Sequence, residues 1–298
     1  MTGGRSRDVQ LIGSVLVRNE DVFVERAIRN AAAVCDRIHV LDHLSSDGTW
    51  SVVSELASEF VNLDVRRTRN SADAHRVLEQ YAGTPTWVLG VDGDELFDPA
   101  GLEELRAALG AGTHSDVFRL KAHVLNCDEI DFERGVAHGY MAPPSRPVTK
   151  LFNFAAIDSW RGCLDPLQGG EIVFRPGFHW ESRRDVAEST SWETDPLRCL
   201  HVCFVRRSSL DRADEVGWRQ NLDETRAFRQ GPFGRVVRAL RRPARSPGAD
   251  RVAQLGSTWK REWYMRGERL VVDATPFLGT ASALREPEGS SSARVEWG

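Results

Sequence analysis

Lysine is nearly missing from this chain: only three of its 39 basic residues are lysines, a bias that reflects genome composition more readily than chemistry. No apolar stretch approaches the roughly 18 residues that cross a bilayer, which argues against a transmembrane segment. The start, MTGGRSRDVQ, lacks the apolar core of a secretory signal, so a cytoplasmic location is expected. The cysteines are few, odd in number and without framework spacing: Cys35, Cys127, Cys163, Cys199 and Cys203. That excludes a disulfide scaffold and makes them reduced core residues. With a net charge of -4 and arginines spread along the chain, there is no general footprint for nucleic acid. The one basic cluster, RVVRALRRPARSPGADR at 235–251, reads as a solvated face. VRNED follows the first apolar run where a dinucleotide-binding fold carries Gly-x-Gly-x-x-Gly, and no Gly-x-x-x-x-Gly-Lys-Ser/Thr occurs, which disfavours both phosphate-loop classes.

What is present is an alternation of strand-like and helix-like segments. VQLIGSVLV (9–17) is a continuous apolar run of strand length, RIHVLD (37–42) is short and β-branched, NLDVRR (62–67) reads as a third short strand and TWVLGVD (86–92) as a buried one. Between them, DVFVERAIRNAAAVC and TWSVVSELASEF keep a helical period, and SADAHRVLEQYAG reads as a helix with Ser71 as a candidate N-cap. Asp98 and Pro99 supply an N-cap and N1 proline for a helix through Leu109. The repeat predicts an α/β fold, a mostly parallel sheet with helices on both faces. Ligands of such sheets bind beyond the carboxyl ends of the strands, where the strand order switches.

Acidic residues fall at those ends: Asp42, Asp47 in the following loop, and the run Asp92, Gly93, Asp94, Glu95. Carboxylates this close raise one another's pKa unless a cation or hydrogen-bond donors offset the charge. Hard oxygen ligands suit magnesium, manganese or calcium, and magnesium characteristically binds one or two carboxylates together with substrate phosphates. The bland alternative is a solvated turn that caps the next helix.

VLVRNEDVFVERAIRN, HVLDHLSSDGTW and WVLGVDGDELFDP together resemble the N-terminal half of family-2 glycosyltransferases of the GT-A fold, over about residues 9 to 110. Those enzymes read roughly as strand-x-x-x-Asn-Glu, Val-x-Asp-x-x-Ser-x-Asp-Gly-Thr and apolar-x-Asp-x-Asp-Glu. The resemblance implies a GT-A-like domain over 1–207, with a nucleotide-sugar half (9–110) and an acceptor half (111–207), followed by C-terminal helices and a tail over 208–298. It further implies a metal-dependent, inverting transfer of a sugar from a nucleotide diphosphate sugar, of UDP type, to an acceptor hydroxyl. Val17, Arg18, Asn19, Glu20, Asp42, Asp47, Asp92 and Gly93 would then surround the nucleotide. Asp92, Asp94 and His201 would hold the divalent cation, Mn or Mg.

In the second half, VFRLKAHVL (117–125) reads as a strand and 126–148 as a long Gly/Pro-punctuated loop, a lid or acceptor loop. The bacterial subgroup of the family carries Gly-x-x-His-Glu where this chain has Gly162-Cys163-Leu164-Asp165, so Asp165 is the candidate base, with Glu133 and Asp195 competing. His201 matches a later apolar-apolar-His-apolar segment, and His179 is a weaker candidate for the same role. Cys199, His201 and Cys203 share one side of a strand, but the two sulfurs would stand roughly 13 Å apart, too far for one zinc ion. Trp160, Trp180 and Trp192 are either a platform for sugar rings or core. Two other classes remain: a catalytically silent nucleotide-sugar-binding protein, compatible with the altered Leu164-Asp165 pair, and a haloacid-dehalogenase-like phosphotransferase, whose Asp-x-Asp normally lies on the first strand.

Overall fold

The computed structural model describes residues 9–146, 148–211 and 262–279. The helical reading of 211–230 apart from its first residue, the basic cluster at 235–251 and the tail from 282 lie outside them.

Each run forms the expected strand, and β1, β2 and β4 bury side chains on both faces whereas the edge strand β3 only half-buries Leu63 and Val65. β1 (Gln10–Val17) leads into α1 (Val24–Ala32), β2 (Arg37–Asp42), α2 (Thr49–Glu59) and β3 (Leu63–Arg67). Along β1, Leu11, Val15 and Val17 join the core that contains α1, while Ile12 joins a second cluster on the opposite face. The next helix is shorter than its pattern predicts. α3 spans only Asp73–Arg76, followed by a 3-10 turn at Glu79–Tyr81. Tertiary partners decide this: Ser71 does not cap the helix but donates to the Leu164 carbonyl at 2.7 Å. His75 lies between the Trp160 carbonyl and the Leu167 amide.

β4 (Thr86–Asp92) runs into a short strand absent from the sequence reading, β5 (Glu95–Phe97), and then α4 (Pro99–Gly110), whose Asp98 cap accepts from the Ala100 amide as expected. β6 (Arg119–Lys121) and β7 (His123–Asp131) replace the single strand predicted at 117–125. The predicted loop at 126–148 is largely a hairpin of β7 with β8 (Val136–Ala142). A bulge between Cys127 and Glu129 shifts the register, which is why the period-2 signal is broken in the sequence. Beyond it come β9 (Thr149–Asn153), the ribbon β10 (Ile157–Arg161) with β11 (Glu171–Phe174), β12 (Arg183–Asp185) and β13 (Arg198–His201). Residues 269–273, expected to be helical, form β14 (Arg269–Asp273), antiparallel to β8, and a one-turn α5 (Thr275–Leu278) follows.

The main sheet has the order β12-β6-β9-β4-β1-β2-β3, parallel from β4 through β3, with β9 antiparallel to both neighbours. A five-stranded sheet, β14-β8-β7-β13-β5, packs its apolar face into the same core as α1 and α4. The expected α/β class and mostly parallel strand core are therefore present. The chain proceeds from β1 outward to β3 and then crosses to β4 on the other side of β1, so the switch in strand order lies between β1 and β4.

One polar side chain ties these layers. Asn30, buried on α1, donates to the carbonyls of Phe97 in β5 and Phe277 in α5, both at 2.8 Å. Asn30→Ala strands both acceptors in a dry core, at an expected cost of about 2 to 4 kcal/mol in urea unfolding. A loss under about 0.5 kcal/mol would show that the tie is unimportant.

Candidate active site

Register places the sequence-predicted residues in one row. Leu16 stands opposite Asp92, Val17 opposite Asp42, and Asp42 opposite Arg67, so the carboxyl ends of β4, β1, β2 and β3 are flush. Asp42 is fully buried, a placement that needs a counter-ion. Arg67 supplies it, its Nε 2.7 Å from Asp42 Oδ2, while the Ser45 amide donates to the same carboxylate. The Arg67 guanidinium also reaches the Ser45 carbonyl and lies over the Trp50 ring, 5.0 Å from its centroid.

The loops above this row are interlocked. Asn19 adopts a left-handed backbone (φ 54°), uncommon for a residue other than glycine. Its amide donates to Ser45 Oγ, and its side-chain oxygen accepts from the Ser46 amide at 2.7 Å. Leu44, two residues beyond Asp42, shares that conformation (φ 54°). The Glu20 amide donates to Thr49 Oγ1. Arg18 is partly buried at the end of β1, in the same loop. Asp47 is held within the loops: it accepts from the Thr49 amide and hydroxyl, and from Ser208 Oγ at 2.6 Å. Burial opposes its ionisation, but the bonds from Ser208 and Thr49 win and hold its pKa below the ordinary value.

Across the crevice, Gly93 is needed for space, because a Cβ there would collide with the Glu20 carboxylate and with Val17. The acidic run splits by environment. Asp92 is exposed at the end of β4, whereas Asp94 and Glu95 are buried, 3% and 1% exposed. Two buried cations, overlooked in the sequence, meet them: Arg207 pairs with Asp94 and Lys150 with Glu95. Glu95 also accepts from the Asp92 amide at 3.1 Å. Burial pushes the Glu95 carboxyl up to about 7, with Lys150 pulling against it and Asp92 and Asp94 adding to the rise. Burial works against the Lys150 charge, but Glu95 and Asp92 outweigh it and keep the ammonium protonated.

His201 belongs to this group through β13, where it pairs with Glu95 of β5. The Asn126 amide donates to Ser145 Oγ and to the Tyr140 carbonyl, which turns its oxygen toward His201 Nδ1 at 2.9 Å. A neutral His201 therefore carries its proton on Nδ1 and directs the Nε2 lone pair toward Asp94 Oδ2, 3.8 Å away. Tyr264, from a segment read only as helical, lies against the His201 ring at 5.7 Å between centroids and is bonded by Arg146. Among the described residues no group of three or more His, Cys, Asp and Glu is arranged to hold a metal by itself. Asp94, paired with Arg207, and His201 stand together at this corner, with Asp92 two residues before Asp94 at the end of β4.

Asp165 is half-buried in a loop that Ser71 and His75 pin to α3, bridged to Gln168. Leu167 of this loop packs over Gly90, two residues before Asp92. The competitors lie elsewhere: Glu133 is exposed at the tip of the β7–β8 hairpin, and buried Asp195 accepts from the Leu197 amide. His179 is exposed in the turn before β12. Trp160 is fully buried core, Trp192 nearly so, and Trp180 is 40% exposed. All five cysteines are buried, and none is in a disulfide.

No family model and no curated protein matches the sequence. Among solved structures, TarS of S. aureus is similar at 20% identity and a TM-score of 0.34, over 50% of this chain and 29% of that one. A mannosyltransferase from Pyrobaculum calidifontis, solved with GDP-Man and Mn2+, gives 21% identity and a TM-score of 0.30, over 38% of this chain and 35% of that one. A 4-diphosphocytidyl-2C-methyl-D-erythritol synthase from Anaerococcus prevotii gives 10% and 0.32, over 52% and 75%. The chain thus spans about a third of the length of the first two.

The Lys150–Glu95 pair can be tested alone. Lys150→Met leaves a buried carboxylate without its partner and is expected to cost about 3 to 5 kcal/mol of unfolding free energy. Adding Glu95→Leu should recover most of that loss. A double variant as unstable as the single one would show that Lys150 acts through packing.

Proposed function

We propose that the protein transfers a sugar from a nucleotide diphosphate sugar to an acceptor hydroxyl, with manganese or magnesium at the diphosphate. The supporting observation is the flush row of Asp92, Val17, Asp42 and Arg67 at the ends of four parallel strands, beside the switch between β1 and β4. An α/β sheet serves many chemistries, so the reading rests on these side chains. A nucleoside seats at Val17, Asn19 and Asp42, whose carboxylate, bonded by Arg67, accepts from ribose or base. UDP is the donor nucleotide we favour. The diphosphate lies beside Asp92 and Gly93. Asp92 and Asp94 hold the cation with His201 alongside. When bound, it offsets charge developing on the leaving diphosphate. Asp165, brought toward the end of β4 by Leu167, removes the acceptor's proton on the far face of the sugar, and a single displacement inverts the anomeric centre.

A thermal-shift panel of UDP, GDP and dTDP and their sugars, with manganese or with chelator, tests the binding half. At about 100 times the dissociation constant a ligand adds roughly 2.7 kcal/mol. Stabilisation is expected only with the cation, and an equal shift in excess chelator would defeat the metal assignment.

The chemical half turns on Asp165→Asn, which keeps shape and hydrogen bonding but takes no proton at neutral pH. The transfer rate should fall by about 10² to 10⁴ while nucleotide affinity holds. Transfer surviving within a few fold would move the base elsewhere.

A further inference from the structure

The second sheet ends on β14, which pairs with β8 on one side and with no strand among the described residues on the other. The other edges of the two large sheets are protected, being short, charged or buried. β12 is three residues long and carries Arg183 and Arg184, β3 ends on the exposed Arg66 and Arg67, and β5 is a buried three-residue strand. β14, RLVVD, has no proline, lysine or bulge, and Val271 at its centre is 59% exposed. The alternation of an antiparallel ladder shows which groups face out. The Ala274 amide donates to the Gly135 carbonyl, so Val272 and Leu270 also bond toward β8, whereas the N–H and C=O groups of Arg269, Val271 and Asp273 point to the open edge. Leu270 and Val272 are only partly buried where they pack at the rim of the core.

We infer that β14 is the docking edge for a second copy of this chain, paired antiparallel with its own equivalent about a two-fold axis at Val271. The strand is self-complementary in that arrangement. Val271 meets its twin, Leu270 meets Val272 of the second copy, and Arg269 meets Asp273 of the second copy. A parallel pairing in the same register would set arginine against arginine and aspartate against aspartate, and like charges directly opposite oppose it. Val271 falls on a bonded position, so the two copies exchange its hydrogen bonds in both directions, and the Arg269–Asp273 pairs on either side do the same. On the core face, Leu270 and Val272 of each copy cover those of the other. On the outer face the two Val271 side chains stand roughly 5 Å apart and shield each other. Arg269 is already held in place by Asp128 and Glu129, so its charge sets the orientation of the pairing more than its strength. The symmetric contact uses up the open edge and closes at two copies. Because five residues a side bury little surface, the dimer forms with rising concentration and is not obligate.

Sedimentation velocity of the full chain over a range of concentrations tests this. Wild type is expected to pass from monomer to dimer as concentration rises. Val271→Pro removes an amide that faces away from β8, so it should leave the β14–β8 ladder in place while weakening dimerisation about tenfold or more. Val271→Lys and Val271→Glu change one exposed side chain, and each alone sets like charges against each other at the axis. Each is expected to stay monomeric, whereas an equimolar mixture of the two should dimerise again, because only the mixed pair brings opposite charges together there. A wild type that is monomeric throughout would overturn the inference, whether other residues of the chain or a different partner cover the edge. A dimer that survives Val271→Pro and both charged variants unchanged has its interface elsewhere, which also overturns it. If the proline variant does not fold, the charged pair decides: two monomers whose mixture remains monomeric would show that Val271 does not stand at a two-fold axis.

Discussion

Carboxylates buried at a strand end need cations beside them, and this requirement organises the molecule. Asp94 and Glu95 are nearly inaccessible to water, and each is met by a buried base from a distant part of the chain, Arg207 and Lys150. Leaving either acid unpaired in so dry a place would cost several kcal/mol. Consequently β9, which carries Lys150, must lie beside β4, and the segment after β13 must return across the crevice to deliver Arg207. Asp42 repeats the pattern with Arg67 on the neighbouring strand. The scarcity of lysine makes the position of Lys150 more notable, since one of only three lies in this cluster.

The same turn joins the two sheets. After β4 ends at Asp92 in the parallel sheet, the chain bends through Gly93 and Asp94 and enters the second sheet as β5. The Asp94 carbonyl accepts from the Val202 amide just beyond β13, and Glu95 stands opposite His201. The acidic run is therefore a covalent corner between layers as well as a candidate site. A cation or anion bound there would be sensed by both sheets.

The second sheet also draws the C-terminal part of the described chain to the site. β14 pairs with β8, the Trp263 carbonyl accepts from the Arg146 amide, and Tyr264 closes against His201 and Phe204. Burial raises the Tyr264 hydroxyl's pKa, so it remains a neutral donor and acceptor at the edge of the cluster. A residue far along the chain thus becomes a wall of a site whose acids come from the first hundred residues and whose bases, Lys150 and Arg207, come from the middle of the chain.

Local sequence determined the first half of the fold. β1 to β4, α1, α2 and α4 are legible because continuous apolar runs and helical periods are properties of neighbouring residues, and Asp98-Pro99 marks its helix by chemistry confined to one turn. Asp42 and the Asp92 to Glu95 run were legible for a similar reason, since acids that end apolar strands stand out without any partner in view. The β7–β8 hairpin was not, because its bulge interrupts the alternation and Gly139 is demanded by the Asn126 carbonyl across the pair. β14 is a five-residue edge strand whose pairing with β8 is its structural reason for existing. α3 yields to bonds with Leu164, Trp160 and Leu167 nearly 100 residues away. Arg207, Lys150 and Tyr264 carry no local mark of their role, being ordinary residues in ordinary surroundings until the strands are ordered. Only the tertiary structure decided that they meet the acids, because the desolvation that makes those contacts matter exists only once both layers have closed over them.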